Sequence, residues 1–148
     1  MTTVNGCNLP DDLYYFTDKH IWCKPLDNGN IRVGMTTVAA KLAGGNLSAV
    51  TVSSRKIGKD IEQKKSLATV ESSKFVGPVP APVSGTLVAA NEKLADNPNL
   101  AVNDPYGDGW IAEMKPSHWD TEKGSLAFGP DGLAAYKAAL EAEGISCE

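Results

Sequence analysis

Residues 67–85 constrain this chain more than any other stretch, because they read as two strands joined by a short polar turn that carries one lysine. Leu67, Thr69 and Val70 lead to Glu71, Ser72 and Ser73 supply turn chemistry, and Val76 and Val79 lead into Ala81-Pro82-Val83-Ser84-Gly85. Lys74 therefore falls at a hairpin tip with its side chain toward solvent. A lysine on a rigid turn is reachable by a modifying enzyme, and its deprotonated amine is a nucleophile. By residue type alone such a lysine is an ordinary solvated side chain, so the case for a covalent tether must come from its surroundings.

Those surroundings are rich in short strands. Residues 20–24 and 30–35 read as a hairpin, since Ile31, Val33 and Met35 alternate with Arg32 and Gly34 after the Asp27-Asn28-Gly29-Asn30 turn. Thr36 or Thr37 caps a short helix that Gly44-Gly45 ends. Further strands are expected around Ala49 and Val50, at Ile61, over residues 66–70, 86–89 and 110–115. Leu133, Tyr136 and Leu140 share one face of a closing helix that stops at Gly144, and Ser117 with Asp120 suggests a capped turn before it. The expected fold is mainly β with small helices: a flattened barrel or sandwich with the lysine at a hairpin tip. Residues 1–12 read as a loosely held polar arm, 13–128 as the domain, and 129–148 as a helix and tail packed on it. With 148 residues and 42% hydrophobic content, one core needs no metal or disulfide.

Glu71 three residues before Lys74, and Gly85 eleven after it, resemble the pattern of lipoyl domains. The wider chain resembles the glycine cleavage H protein: Tyr15-Phe16-Thr17-Asp18-Lys19-His20-Ile21-Trp22, Val33-Gly34-Met35-Thr36, Ala81-Pro82-Val83-Ser84-Gly85 and Asn103-Asp104-Pro105-Tyr106-Gly107-Asp108-Gly109-Trp110-Ile111 follow in the family's order. This resemblance implies a barrel-sandwich hybrid fold and a non-catalytic carrier with lipoate in amide linkage to Lys74. A lipoate-attaching ligase or transferase would read the hairpin through Glu71, Ser72, Ser73, Phe75 and Gly85, with Gly85 supplying a positive-φ turn. Biotin is the competing tether, but methionines typically flank that lysine where Ser73 and Phe75 stand here. An unmodified adaptor is the remaining class.

The chain departs from the glycine cleavage pattern at Ile21 and Asn46, where the family has acids, and in 52–58, where Arg55 and Lys56 appear. On an exposed face such changes would redirect docking. The resemblance is then to the lipoate-binding proteins of bacterial heterodisulfide-reductase-like sulfur oxidation. The favoured partners are that reductase-like complex and sulfurtransferases, with the arm shuttling sulfur-bound intermediates; glycine cleavage enzymes and an aminomethyl cargo are the alternative. His20, Arg55 and Lys56 are candidates for an arm groove or partner surface. His20 and Cys23, placed on opposite faces of one strand, do not make a metal site, and none is expected. Cys7 and Cys147 read as exposed thiols near mobile ends, able to exchange with a dithiol but without disulfide-framework spacing. A net charge of -4 disfavours nucleic acid, and without a membrane-length apolar run or signal-peptide pattern the expected location is cytoplasmic.

Overall fold

Period-two alternation decides which side chains turn inward, and the computed structural model, which describes residues 2–74 and 76–147, shows the outcome. In chain order the strands are β1 (Thr2–Val4), β2 (Cys7–Leu9), β3 (Tyr14–Phe16), β4 (Ile21–Pro25) and β5 (Ile31–Met35), followed by helix α1 (Thr37–Leu42). Then come β6 (Ala49–Thr51), β7 (Asp60–Ile61), β8 (Ser66–Glu71), β9 (Val76–Pro80) and β10 (Gly85–Ala90). Short helices α2 (Lys93–Asp96) and α3 (Leu100–Asn103) precede β11 (Ala112–Pro116), α4 (Trp119–Glu122) and the long α5 (Gly129–Glu143). A six-stranded sheet runs β3-β4-β5-β11-β10-β7, and a three-stranded sheet runs β6-β8-β9. Ile31, Val33 and Met35 from the first and Leu67, Val70 and Val79 from the second are buried in one cluster, so the arrangement is a flattened sandwich.

Local chemistry explains the joints. Trp22 pairs with Gly34 across β4 and β5, and its indole lies so close that a Cβ on Gly34 would meet it at 2.6 Å. The indole N–H donates to the Pro105 carbonyl at 3.0 Å, which satisfies the one polar atom of a side chain that is otherwise fully buried. Thr36 caps α1 by accepting from the Ala39 N–H at 3.4 Å, and Gly44 and Gly45, both at positive φ, turn the chain out of it.

A second apolar cluster joins the two ends of the chain. Val4, Cys7 and Leu9 from the β1–β2 hairpin pack with Tyr15, Trp22 and Val38 and with Leu133, Tyr136 and Leu140 of α5. The amino-terminal segment is therefore not a loose arm: its polar residues alternate with buried ones too briefly for the pattern to stand out in a sequence. Cys7 and Cys147 form a disulfide with Cα atoms 5.0 Å apart, in place of the exposed thiols expected. Cysteine usage accordingly gives no argument for a reducing compartment. Before α4, His118 holds the cap position without a side-chain cap hydrogen bond, while the Ser117 hydroxyl meets His118 Nδ1 at 3.0 Å, so the Ser117 capping pattern is not realised.

Candidate functional site

Strands β8 and β9 build the lysine hairpin. Glu71 pairs with Val76 across it, with Ser72, Ser73 and Lys74 beyond the end of β8, and the β8 partners extend back through Val70↔Gly77 to Thr69↔Pro78. Ser72 is buried, and its hydroxyl accepts from the Lys74 backbone N–H at 3.2 Å, which braces the turn. Ser73 and Lys74 are exposed, as is the Glu71 side chain, whose backbone carbonyl accepts from the Ser48 N–H at 2.8 Å. Phe75 lies outside the described residues. The hairpin thus supplies an exposed amine on a backbone fixed by strand pairing on both sides.

The lysine stem rests against the end of α1. A Cβ on Gly44 would lie 3.1 Å from Lys74 Cε, so this glycine clears space for the side chain in addition to ending the helix. Sequence reasoning found only the helix-ending role. Gly85 corrects a second expectation, since it sits within β10 and is not among the positive-φ glycines. A Cβ there would fall 2.8 Å from Pro116 Cα, so glycine is needed because β11 passes too close for a side chain.

Beside the hairpin lies a groove of about 360 Å³ walled by His20, Ile21, Met35, Leu42, Val70 and Val79, with Asp18 and Lys19 at one end. His20 precedes β4 at φ 60 and is 8% exposed. Its Nδ1 lies 2.7 Å from the Tyr136 hydroxyl, which is 3.3 Å from Thr36 Oγ1. Burial pushes the Tyr136 phenol well above its ordinary range, so it keeps its proton and shares a hydrogen bond with His20 Nδ1. Burial also holds His20 below its ordinary value by disfavouring the charged ring. Residues 116 apart in sequence thereby fix one wall of the groove, which no local pattern signals.

The other candidates fall elsewhere. Arg55 is exposed in the loop between β6 and β7, and Lys56 is half-buried with its Nζ donating to the Ser66 carbonyl at 2.9 Å. Neither lines the groove. Ile21 is 2% exposed and faces the groove, so it forms part of the groove wall rather than an exposed docking face. Cys23 is buried in the main core, where desolvation pushes its thiol up to about 12. Among the described residues no group of three or more His, Cys, Asp or Glu side chains could hold a metal ion, and no helix is long and apolar enough to cross a membrane.

Comparison with known proteins bears on the same elements. The family description "Glycine cleavage H-protein" matches residues 13–136, from just before β3 into α5. The chain belongs to the glycine cleavage H-protein family. It is 42% identical to glycine cleavage system H protein 5 of Aquifex aeolicus over 99% of each chain. It is 35% identical to a probable glycine cleavage system H protein 2 of Sulfolobus acidocaldarius, covering 100% of this chain and 98% of the relative. The crystal structure of a glycine cleavage system H protein from Mycobacterium marinum superposes with a TM-score of 0.72 at 32% identity, covering 88% of this chain and 99% of that one. Members of this family are non-catalytic carriers within a multi-enzyme system and bear lipoate covalently attached to a lysine. An exposed amine on a braced turn, with an apolar groove alongside, fits such a group.

Proposed function

We propose that Lys74 is the lipoylated lysine and that the protein serves glycine cleavage, carrying the aminomethyl group between the enzymes of that system. The observation that carries this reading is the exposed Lys74 on the braced β8–β9 turn beside the groove. Amide formation removes the lysine charge, and the bound group supplies a sulfur pair at the end of a flexible chain. The protein holds the attachment point still, so the arm's search is confined to the volume around the hairpin, which raises its effective concentration at a docked enzyme. Glu71, Ser72 and Ser73 present the backbone shape that an attaching ligase reads. The walls formed by Met35, Leu42, Val70 and Val79 shelter apolar methylenes from water, with the His20 ring beside them.

The names of the relatives support glycine cleavage over the sulfur-oxidation partners that the charge departures first favoured. One observation keeps that second reading: Ile21 places an apolar side chain in the groove wall, which suits a cargo without an ammonium. Intact mass and peptide mapping of protein from its native source test the carrier itself, with a lipoyl increment expected on Lys74 and none in Lys74→Arg. Reconstituted glycine cleavage then tests the cargo. A lipoylated protein that fails to support it, while its deletion abolishes thiosulfate oxidation, would move the assignment to sulfur.

A further inference from the structure

The disulfide and the lysine open onto the same space. A cavity of about 530 Å³ is lined by Cys147 at one side and Lys74 at the other, with Thr37, Lys41 and Gly44 between them. Helix α1 links the two: the Thr37 carbonyl lies 3.8 Å from Cys147 Sγ, and the Lys74 stem rests on Gly44. At the helical rise, the seven steps from Thr37 to Gly44 come to about 10 Å, a distance that an extended octanoyl chain spans. Cys147 is half-buried and faces the cavity, whereas Cys7 is fully buried behind it.

Both sulfurs are also placed for a reduced state. Cys7 Sγ lies 3.9 Å from the Asn5 carbonyl, as Cys147 Sγ does from Thr37 at 3.8 Å. A disulfide sulfur has no hydrogen to donate, but a thiol does, so only in the open pair can each sulfur donate to its neighbouring carbonyl. Opening would not release the tail. The Cys147 N–H still donates to the Asn5 carbonyl at 2.9 Å, the Ser146 hydroxyl does so at 3.1 Å, and Asn5 Nδ2 donates to the Ile145 carbonyl at 3.4 Å. The two sulfurs therefore stay together whether bonded or not, and Lys41 puts a cation in the cavity that favours the attacking thiolate.

We infer that Cys7 and Cys147 form a second redox centre, closed by two-electron exchange with a dithiolane carried on Lys74. The step rests on Lys74 being the lipoylated residue. The Cys147 thiolate attacks one dithiolane sulfur, breaking the ring bond, and the released arm thiolate takes up a proton. The Cys7 thiolate then attacks Cys147 Sγ, forming the disulfide and expelling the second arm thiolate, which is protonated in turn. Two cysteine thiols are oxidised, one dithiolane is reduced to a dithiol, and the two protons move from the cysteines to the arm. Cys23, buried with its thiol pushed up, takes no part.

The test starts from full-length protein with all three cysteines reduced and Lys74 unmodified, held without oxygen. Lipoate, ATP and a lipoate ligase are added, samples are quenched with N-ethylmaleimide, and peptides are mapped. Exchange predicts alkylated sulfurs on the Lys74 arm and a Cys7–Cys147 disulfide. Lys74→Arg should keep both cysteines alkylated, and Cys7→Ser/Cys147→Ser should keep the arm as an unalkylated dithiolane. Tethering gives an effective concentration near the millimolar range, so closure should be about 100-fold faster than with roughly 10 µM free lipoamide on unmodified protein. A lipoylated Lys74 whose dithiolane persists beside alkylated Cys7 and Cys147 overturns the exchange alone. Failure to find lipoate on Lys74 in protein from its native source, or under ligase, overturns the carrier assignment and the exchange with it.

Discussion

Reducing the Cys7–Cys147 bridge should cost the protein a large part of its stability, because the bridge joins residues 140 apart. By loop-closure entropy alone, a cross-link over that separation disfavours the unfolded chain by about 5 kcal/mol at 25 °C. The native state should change little on opening, since the tail keeps its hydrogen bonds to Asn5, and the effect falls on the unfolded ensemble. The measurement is urea unfolding of the same unlipoylated protein, oxidised and after reduction with a phosphine, so that no substitution disturbs the buried Cys7 site. At a urea slope of about 2 kcal/mol per molar, the midpoint should fall by roughly 2 M or more on reduction. A fall of less than about 0.3 M would refute the reasoning, because a bridge of that span could then not be restricting the unfolded chain.

Tyr136→Phe removes the hydroxyl that hydrogen-bonds His20 Nδ1 at a fully buried position and should destabilise by about 1–3 kcal/mol, read as a lower urea midpoint with unchanged slope. Because burial depresses His20 while Glu143 and Asp18 pull it up and Lys19 pushes it down, the unfolded chain takes up this proton first on acidification. Its contribution is complete above about pH 6.5 and is lost as pH falls through the folded-state value, so His20→Gln should flatten the pH dependence of the midpoint in that window. Gly34→Ala drives a Cβ to 2.6 Å from the Trp22 indole and should cost about 1–3 kcal/mol with a blue or red shift in tryptophan emission as the ring moves.

Much of the fold was legible because its signals are local. The alternation of Ile31, Val33 and Met35, the Gly29 turn and the Thr36 cap each act within a few residues, and each appears where the pattern put it. Lys74 was legible for the same reason: strand, serine-rich turn and strand lie in one stretch. What escaped depends on partners far apart. His20 reads as a strand residue until α5 brings Tyr136 against it, and Gly85 reads as a turn glycine until β11 crosses it. Cys7 and Cys147 carry no spacing signal because they meet only when β1–β2 and the tail pack on α5. Ile21 and Lys56 read as surface changes, yet one is buried in the groove wall and the other is tied to the Ser66 carbonyl.

The bridge's stabilising effect and the direction of its exchange with the arm are one free energy seen from two sides. If the fold favours the closed bridge by about 5 kcal/mol, it lowers the reduction potential of the pair by about 100 mV relative to the same cysteines in the unfolded chain. That difference pushes electrons from the cysteines to the Lys74 arm, so closure should leave the arm as a dithiol. The stability measurement therefore constrains the exchange before any arm is attached. A small stabilisation would remove this driving force and leave the shared cavity without a reason to run in one direction. A large one would mean that α1, by holding Cys147 at Thr37 and the lysine stem at Gly44, couples the joining of the chain ends to the redox state in which the arm meets its partners.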